Sequence, residues 1–390
     1  MKGTAAGQTP SIAIVGAGIG GLTAAATLRG VGIDAQVYEQ ASRFARIGAG
    51  IQMTPNAMRV LRGIGLEDHL VQIAFRPTEM RNREWDTGEL TFELPLGDTS
   101  EARYGAPYLL LHRGDLHEAL TRVVPAERVH RDRRLLDLRE EPDGVRLEFA
   151  DGSTARADAV LGADGVHSVV RELLLGPEAP RFTGRVAYRT VYPVELLGGL
   201  RVDPSCKWWG PDRHIVIYYI SGGREVYFTT SVPEADWQVE SWSATGSLHD
   251  LRAAFEGFHP HVRAVLDACP QVHKWAIFER DPLPAWHSAR VALLGDACHP
   301  MTPYMAQGAA ASMEDAAVLA RCLEGAPPEE VPDAFARYEG ARKPRTSELQ
   351  LESRANTWLR HGADPSWVYG YDAWRTPLDP APASAPQGSP

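Results

Sequence analysis

The sequence predicts an α/β fold in which a parallel-sheet domain is interleaved along the chain with a smaller, antiparallel-sheet domain. Three observations predict it. The chain opens on a strand–helix–strand unit, which implies parallel pairing because the crossover returns the chain in the same direction. Two later segments repeat an apolar strand that ends at a glycine turn and runs into a helix. Between those two, from about residue 180 to 275, the sequence reads as strand and hairpin.

Taken in order, SIAIVGAG is a short β-branched run that ends at glycines and reads as a buried strand. GLTAAATLRGVG has small and apolar residues at helical spacing with a glycine beyond its end, and DAQVYEQ returns to strand. The joint carries Gly16-x-Gly18-x-x-Gly21. In a Rossmann-like dinucleotide fingerprint, the first glycine allows the tight turn, the second lets backbone approach a pyrophosphate, and the third lets helix and strand pack closely. The anion then sits at a helix N-terminus, where free N–H groups and the dipole favour negative charge. Glu39, with Gln40 beside it, falls about 20 residues on, where a carboxylate accepts from ribose hydroxyls. The motif does not separate one dinucleotide from another.

Two segments repeat the style. ADAVLGADGVHS is a strand running into a Gly-Ala-Asp-Gly turn and the helix SVVRELL, with His167 expected to cap or pack at that helix start. RVALLGDACHP is a strand ending in Gly-Asp, with a helix expected from about Ala310 to Leu323. In the middle, CKWWGPDRHIVIYYI reads as a hairpin around Gly210-Pro211-Asp212, and REVYFTTSV as its next strand.

Composition narrows the function. A length of 390 residues allows roughly two or three domains. The net charge of -10, with no basic run, argues against nucleic acid, whose phosphates need clustered Lys and Arg. No apolar stretch approaches the roughly 20 residues of a spanning helix, and MKGTAAGQTP lacks the apolar core of a signal peptide, so no membrane role and a cytoplasmic location are expected. Four separated cysteines match no zinc site or CxxC pair and read as buried thiols; no metal is expected.

Arg113 in LHRGDLHEAL, Asp164 in LGADGVHSVVR and Asp296 in LLGDACHPMTPYMAQG form, with the opening fingerprint, a combination that resembles the FAD-dependent aromatic-ring monooxygenases. The resemblance covers nearly the whole chain. It implies a p-hydroxybenzoate hydroxylase-like fold, with tightly bound, non-covalent FAD as cofactor and NADH or NADPH as a transient co-substrate. It also implies that the Asp296 turn meets the flavin ribityl chain, that Arg113 supports the cofactor, and that the Asp164 turn lies near both pyrophosphates. The loop 303–308 becomes the flavin-ring contact, with Gly308 and Ala309 beside the cofactor and Gln307 touching substrate.

Within the family, RIGAGIQMTPNAMRVLRGIGL, CKWWGPDRHIVIYY, GDACHPMTPYMAQGA and NTWLRHGADPSWVYGYD are most similar to the hydroxynicotinate hydroxylases, with salicylate and 3-hydroxybenzoate hydroxylases also similar. One departure matters. Where the hydroxynicotinate enzymes carry a His proposed to help deprotonate substrate, this chain has Gln52, as hydroxybenzoate hydroxylases often do. Glutamine is no base, so hydroxybenzoates and aminohydroxybenzoates stand beside the pyridine acids as substrates.

Tyr218 falls on the family's active-site Tyr. Strand alternation puts His214, Val216 and Tyr218 on one face and Tyr219 on the other, so His214 joins Gln52, Tyr218 and Gln307 as an expected substrate contact. The alternative for Tyr218 is simple packing. Lys207, Trp208 and Trp209 are pocket or core residues, and Arg185 and Arg189 are substrate-carboxylate or solvated arginines. In the mechanism the resemblance implies, the reduced flavin binds oxygen as a C4a-hydroperoxide, and a ring carbon made electron-rich by a phenolate attacks it. The chain must then stabilise a phenolate, which Tyr218 and Gln52 do by hydrogen bonding, and exclude water.

The expected division is 11–75, 105–178 and 278–350 for the FAD-binding domain and 76–104 with 179–277 for the substrate domain. A helical segment 351–376 follows, with a Pro/Ala/Ser-rich tail 377–390 expected to be disordered. WVYGYDAW near the C-terminus reads as a dimer contact or as packing on its own domain. Partners are a small aromatic acid, NAD(P)H and O2, in a monomer or homodimer. Competing readings are a biosynthetic 3-amino-4-hydroxybenzoate hydroxylase, an NAD-linked dehydrogenase, which would not need the two later turns, and a non-catalytic flavin-binding redox sensor.

Overall fold

A computed structural model describes residues 9–44, 49–235, 245–360 and 362–378. The opening strand Ile12–Val15 is fully buried and lies at the centre of a five-stranded sheet, all of it parallel. Its order is Val291–Leu293, Ala159–Gly162, Ile12–Val15, Gln36–Tyr38, Val129–His130. The three strands expected to end in glycine turns are therefore neighbours, and their turns open at one edge of the sheet. Two helices, Ile19–Gly30 and Gly308–Leu323, pack on each other, which small side chains allow. A Cβ on Gly20 would come within 2.8 Å of Leu294, and Thr27 Oγ1 donates to the carbonyl of Ala316 at 3.0 Å.

The second large sheet has seven strands, in the order His273–Glu279, Arg181–Pro193, Glu225–Pro233, His214–Ile220, Ser205–Trp209, Glu79–Glu84, Leu90–Pro95. The hairpin around Gly210 and its following strand form as the sequence predicts. The sheet is not purely antiparallel, however. Ser205–Trp209 pairs in parallel with Glu79–Glu84, because the chain visits this sheet twice and its earlier hairpin joins the later strands side by side.

Alternation divides the seven-stranded sheet cleanly. Cys206, Trp208, Ile215, Ile217, Val226 and Phe228 face a core closed by helices Leu248–Ala254 and Pro260–Ala268, through Leu251, Phe255, Val262 and Val265. Tyr218, Ile220 and Tyr227 face the other way, onto Tyr108, Leu110, Met305 and Leu349. That second face packs on a two-stranded ladder, Gly50–Met53 with Leu109–His112, and on Met305 and Leu349 from the C-terminal half of the chain.

After the long helix Val331–Ala355, Asn356 takes a left-handed conformation (φ 51°) and ends it. The aromatic C-terminal segment packs back on its own chain: Arg59 donates to the carbonyls of Tyr369 and Tyr371, and Trp374 Nε1 donates to the carbonyl of Arg59. The expected disordered tail lies, from residue 379 on, outside the described residues. All four cysteines are free and buried. Among the described residues no helix is long and apolar enough to cross a membrane, and no group of His, Cys, Asp and Glu is placed to hold a metal.

Candidate active site

The opening turn is built as its glycines require. Gly16 has φ +103°, and a Cβ there would sit 2.4 Å from the carbonyl oxygen of Ala163. A Cβ on Gly21 would sit 2.0 Å from the carbonyl oxygen of Gly16, whereas one on Gly18 would meet nothing within 4 Å. The first and third glycines thus permit close packing, and the second faces open space. Glu39 accepts from the backbone N–H of Ala17 and of Ala41, both at 2.8 Å. A carboxylate has about four lone-pair directions, so this clamp leaves acceptor capacity.

Arg113 and Asp296 lie near enough to each other to act on each other's titration. Each keeps accessible surface, yet each lies deep enough for burial to dominate its titration. Burial lowers Arg113, against the pull of Asp296; burial raises Asp296, against His299 and Arg113. Groups that are accessible and desolvated at once line a deep cleft. Asp296 Oδ1 comes within 3.7 Å of where a Cβ on Gly308 would stand, so it faces the N-terminus of the Gly308–Leu323 helix, which Gly308 and Ala309 begin.

A buried charge network holds that helix in place. Arg342 binds Glu314 at 2.8 Å and Asp315 at 2.7 Å, with all three side chains fully buried. Asp315 also binds His299 Nε2 at 2.5 Å, and Glu314 accepts from Arg345 at 3.0 Å and from Asn56 at 2.7 Å. Burial alone would raise both acids, but Arg345 and Arg342 outweigh it at Glu314, and His299 and Arg342 do so at Asp315; both pKa values fall.

On the facing sheet, Tyr218 is 2% exposed, with its ring 5.0 Å from that of Tyr227. Its phenol lies within hydrogen-bonding reach of Gln52, whose Oε1 accepts from Tyr108. Burial, then Tyr227, pushes the Tyr218 phenol well above its ordinary pKa, with Gln52 opposing. Tyr218 is therefore a neutral donor across the working pH range. His214, on the same strand face, packs on Trp209 at 5.2 Å and on Tyr304 at 5.5 Å. Burial, then Lys207, Arg185 and Arg360, drives its pKa well below the usual value, so the imidazole is neutral.

A family model described as an FAD binding domain matches residues 9–352. The chain belongs to that family. It is 47% identical to 6-hydroxynicotinate 3-monooxygenase of Bordetella bronchiseptica over 95% of this chain and 97% of that one. It is 43% identical to 3-amino-4-hydroxybenzoate 2-monooxygenase of Streptomyces cremeus, over 88% and 86% respectively. Among solved structures, HpxO of Klebsiella pneumoniae in complex with FAD and uric acid superposes with a TM-score of 0.81 at 29% identity, covering 91% of this chain and 89% of that one. The protein is thus an enzyme, an FAD-dependent aromatic hydroxylase.

The cleft fits this family's cofactor on its own evidence. The space beside Gly18 suits a pyrophosphate, Glu39 retains acceptor capacity, and Arg113 and Asp296 offer a donor and an acceptor in a desolvated cleft. Gln40 is exposed beside Glu39. Asp164 does something further: it accepts from Ser168 Oγ and, at 3.1 Å, from the backbone N–H of Val170, anchoring the helix Val169–Leu175.

Gln307 is held by buried neighbours, and the expectation for His167 needs correction. Gln307 is 1% exposed and spends its amide inside the protein, accepting from Asn56 at 3.0 Å and donating to Thr54 Oγ1 at 3.2 Å. Those bonds hold the loop 303–308 against the helix that starts at Pro55. His167 is exposed and does not cap its helix, because Ser168 Oγ takes the N–H of Arg171 at 2.9 Å instead. Arg185 donates to Ser231 Oγ and to the Asp212 carbonyl, each at 2.6 Å, while Arg189 stacks on Trp275 at 4.1 Å. Sequence reasoning missed Tyr108, Tyr227 and Arg360. A lone Tyr opening the apolar strand region YLLLH was the available signal for the first, and strand alternation for the second; nothing local marked Arg360.

Proposed function

We propose that this hydroxylase uses NADH or NADPH and O2 to add one oxygen atom to a phenol-type aromatic or pyridine carboxylic acid of the 6-hydroxynicotinate or hydroxybenzoate kind. The pairing of Tyr218 with Gln52 on the sheet face that meets the FAD cleft carries this reading. The activities named for the two relatives, one on a hydroxylated pyridine acid and one on an aminohydroxybenzoate, agree with it.

Bound FAD would supply reduction by the nicotinamide and activation of oxygen, which protein side chains cannot perform. Gly16, Gly18, Gly21, Glu39, Arg113, Asp296, Gly308 and Ala309 hold and orient it. Tyr218, kept protonated, donates to the substrate's hydroxyl oxygen and stabilises that oxygen as negative charge develops there. Gln52 fixes the Tyr218 phenol from one side while Tyr108 fixes Gln52. With Gln52 unable to take a proton and His214 neutral among cations, the chain favours the phenolate by hydrogen bonding rather than by a strong base. Met305, Leu110 and Tyr227 close the apolar side and exclude water. Gln52 favours a second reading within the class, 3-amino-4-hydroxybenzoate as substrate, since no ring nitrogen then needs a basic partner.

The test follows NADH and NADPH oxidation in air by the FAD-loaded protein with 6-hydroxynicotinate, salicylate, 3- and 4-hydroxybenzoate and 3-amino-4-hydroxybenzoate. A product gaining one oxygen, with or without loss of carbon dioxide, establishes the reaction. Oxidation that yields hydrogen peroxide alone with every acid refutes it.

A further inference from the structure

Lys207 and Trp209 share the sheet face of Tyr218, since Ser205 pairs with Tyr218, Lys207 with Val216 and Trp209 with His214. The Lys207 ammonium lies 3.6 Å from the centroid of the Trp209 ring. From the turn beyond the long C-terminal helix, the Arg360 guanidinium approaches the same ring at 5.0 Å. Two cations and the neutral imidazole of His214 thus gather around one indole. Among the described residues neither Lys207 nor Arg360 forms an ion pair, and the Trp209 indole N–H has no acceptor.

A desolvated ammonium with no counterion is costly, and this one is held beside a second cation. Burial, then Arg360, depresses Lys207 well below its ordinary pKa. Arg185, the other arginine at this end, is already engaged by Ser231 and Asp212. What the corner lacks is an anion.

The layout says which. Lys207 stands two residues along the strand from Ser205, the position opposite Tyr218, and its ammonium lies over Trp209, further along the same face. An aromatic ring carrying its hydroxyl and its carboxylate at opposite ends reaches from the phenol toward this corner better than one carrying them side by side. We infer that Lys207, with Arg360 and the Trp209 indole, forms the subsite that takes the substrate's carboxylate and selects para-hydroxy aromatic acids over neutral rings. This rests on the hydroxylase reading above, with Tyr218 at the hydroxyl end.

The FAD-loaded full chain is titrated with 6-hydroxynicotinate and, separately, with 6-hydroxynicotinamide, and the flavin absorbance change gives each Kd. Lys207→Met weakens the acid about 30-fold or more and moves the amide less than about threefold, while Lys207→Arg restores most of the loss. Salicylate, with its groups ortho, binds more weakly than 4-hydroxybenzoate. Equal losses for acid and amide, unchanged acid binding in Lys207→Met, or the reverse order of the two benzoates overturns the assignment. If Lys207→Met does not fold, judged by FAD content and circular dichroism, Arg360→Gln carries the same comparison. Binding is read without nicotinamide or turnover. A failure of the hydroxylase reading therefore shows separately, as wild-type protein that binds the acid and never oxygenates it.

Discussion

Gln52 brings its side-chain amide from the two-stranded ladder to the phenol of Tyr218 on the seven-stranded sheet, and its own carbonyl oxygen is fixed by Tyr108. A residue on the ladder thereby sets the direction of a residue on the substrate-facing sheet. Removing the Tyr218 hydroxyl removes the donor, so Tyr218→Phe is expected to lower kcat about 100-fold. Gln52→Leu, which only frees the phenol to turn, costs about tenfold. Single-turnover hydroxylation with product and peroxide quantified checks both, and FAD content stays at the wild-type level.

Gly50 makes that contact sterically feasible. A Cβ there would fall 2.7 Å from the Tyr218 hydroxyl and 2.6 Å from Tyr227 Cδ1. Gly50→Ala is expected to destabilise by about 1–3 kcal/mol and to displace both rings. Urea unfolding measures the first effect. Weakened binding of the aromatic acid, seen through the flavin spectrum, reports the second.

Asp296 is the carboxylate expected to meet the cofactor's hydroxyls in a desolvated cleft. Asp296→Ala is expected to weaken FAD binding about 10- to 100-fold, the worth of one charged hydrogen bond. Quenching of flavin fluorescence on titrating apoprotein measures it. An unchanged Kd would place the ribityl chain elsewhere.

The buried set Arg342, Glu314 and Asp315 links stability to pH. Both acids have folded pKa values below their ordinary 4.5 and 3.8, so the unfolded chain binds protons more readily. Their stabilisation is fully present above the ordinary carboxylate range and is lost as pH falls through and below it. Arg342→Met leaves two buried carboxylates short of their cation. It is expected to cost about 3–5 kcal/mol and to shift acid unfolding to higher pH. Unfolding midpoints from pH 7 down to about 2 test the sign as well as the size.

The first sheet was legible because its signals are local. Gly16, Gly18 and Gly21 sit in one turn, and Asp164 and Asp296 end neighbouring strands, so short windows of sequence define them. That Tyr218 and His214 share one face was legible through alternation on a single strand. The partners of Gln307 left no local trace, because Asn56 and Thr54 come from a distant helix start and nothing near residue 307 shows that they take up its amide. Tyr108 and Arg360 were silent for the same reason: each matters through a partner brought near only by tertiary packing. The parallel pairing of Ser205–Trp209 also escaped, since strand direction relative to a distant hairpin leaves no periodic trace.

That parallel pairing decides how the molecule can be cut. Because Glu79–Glu84 covers the flank of Ser205–Trp209, a fragment spanning only 179–277 would expose the strand carrying Trp208 and Trp209 along an unpaired edge. Such an edge recruits other chains. The substrate-facing sheet is therefore no removable module: excised from its earlier hairpin it would aggregate, and no single cut divides this enzyme into two soluble halves.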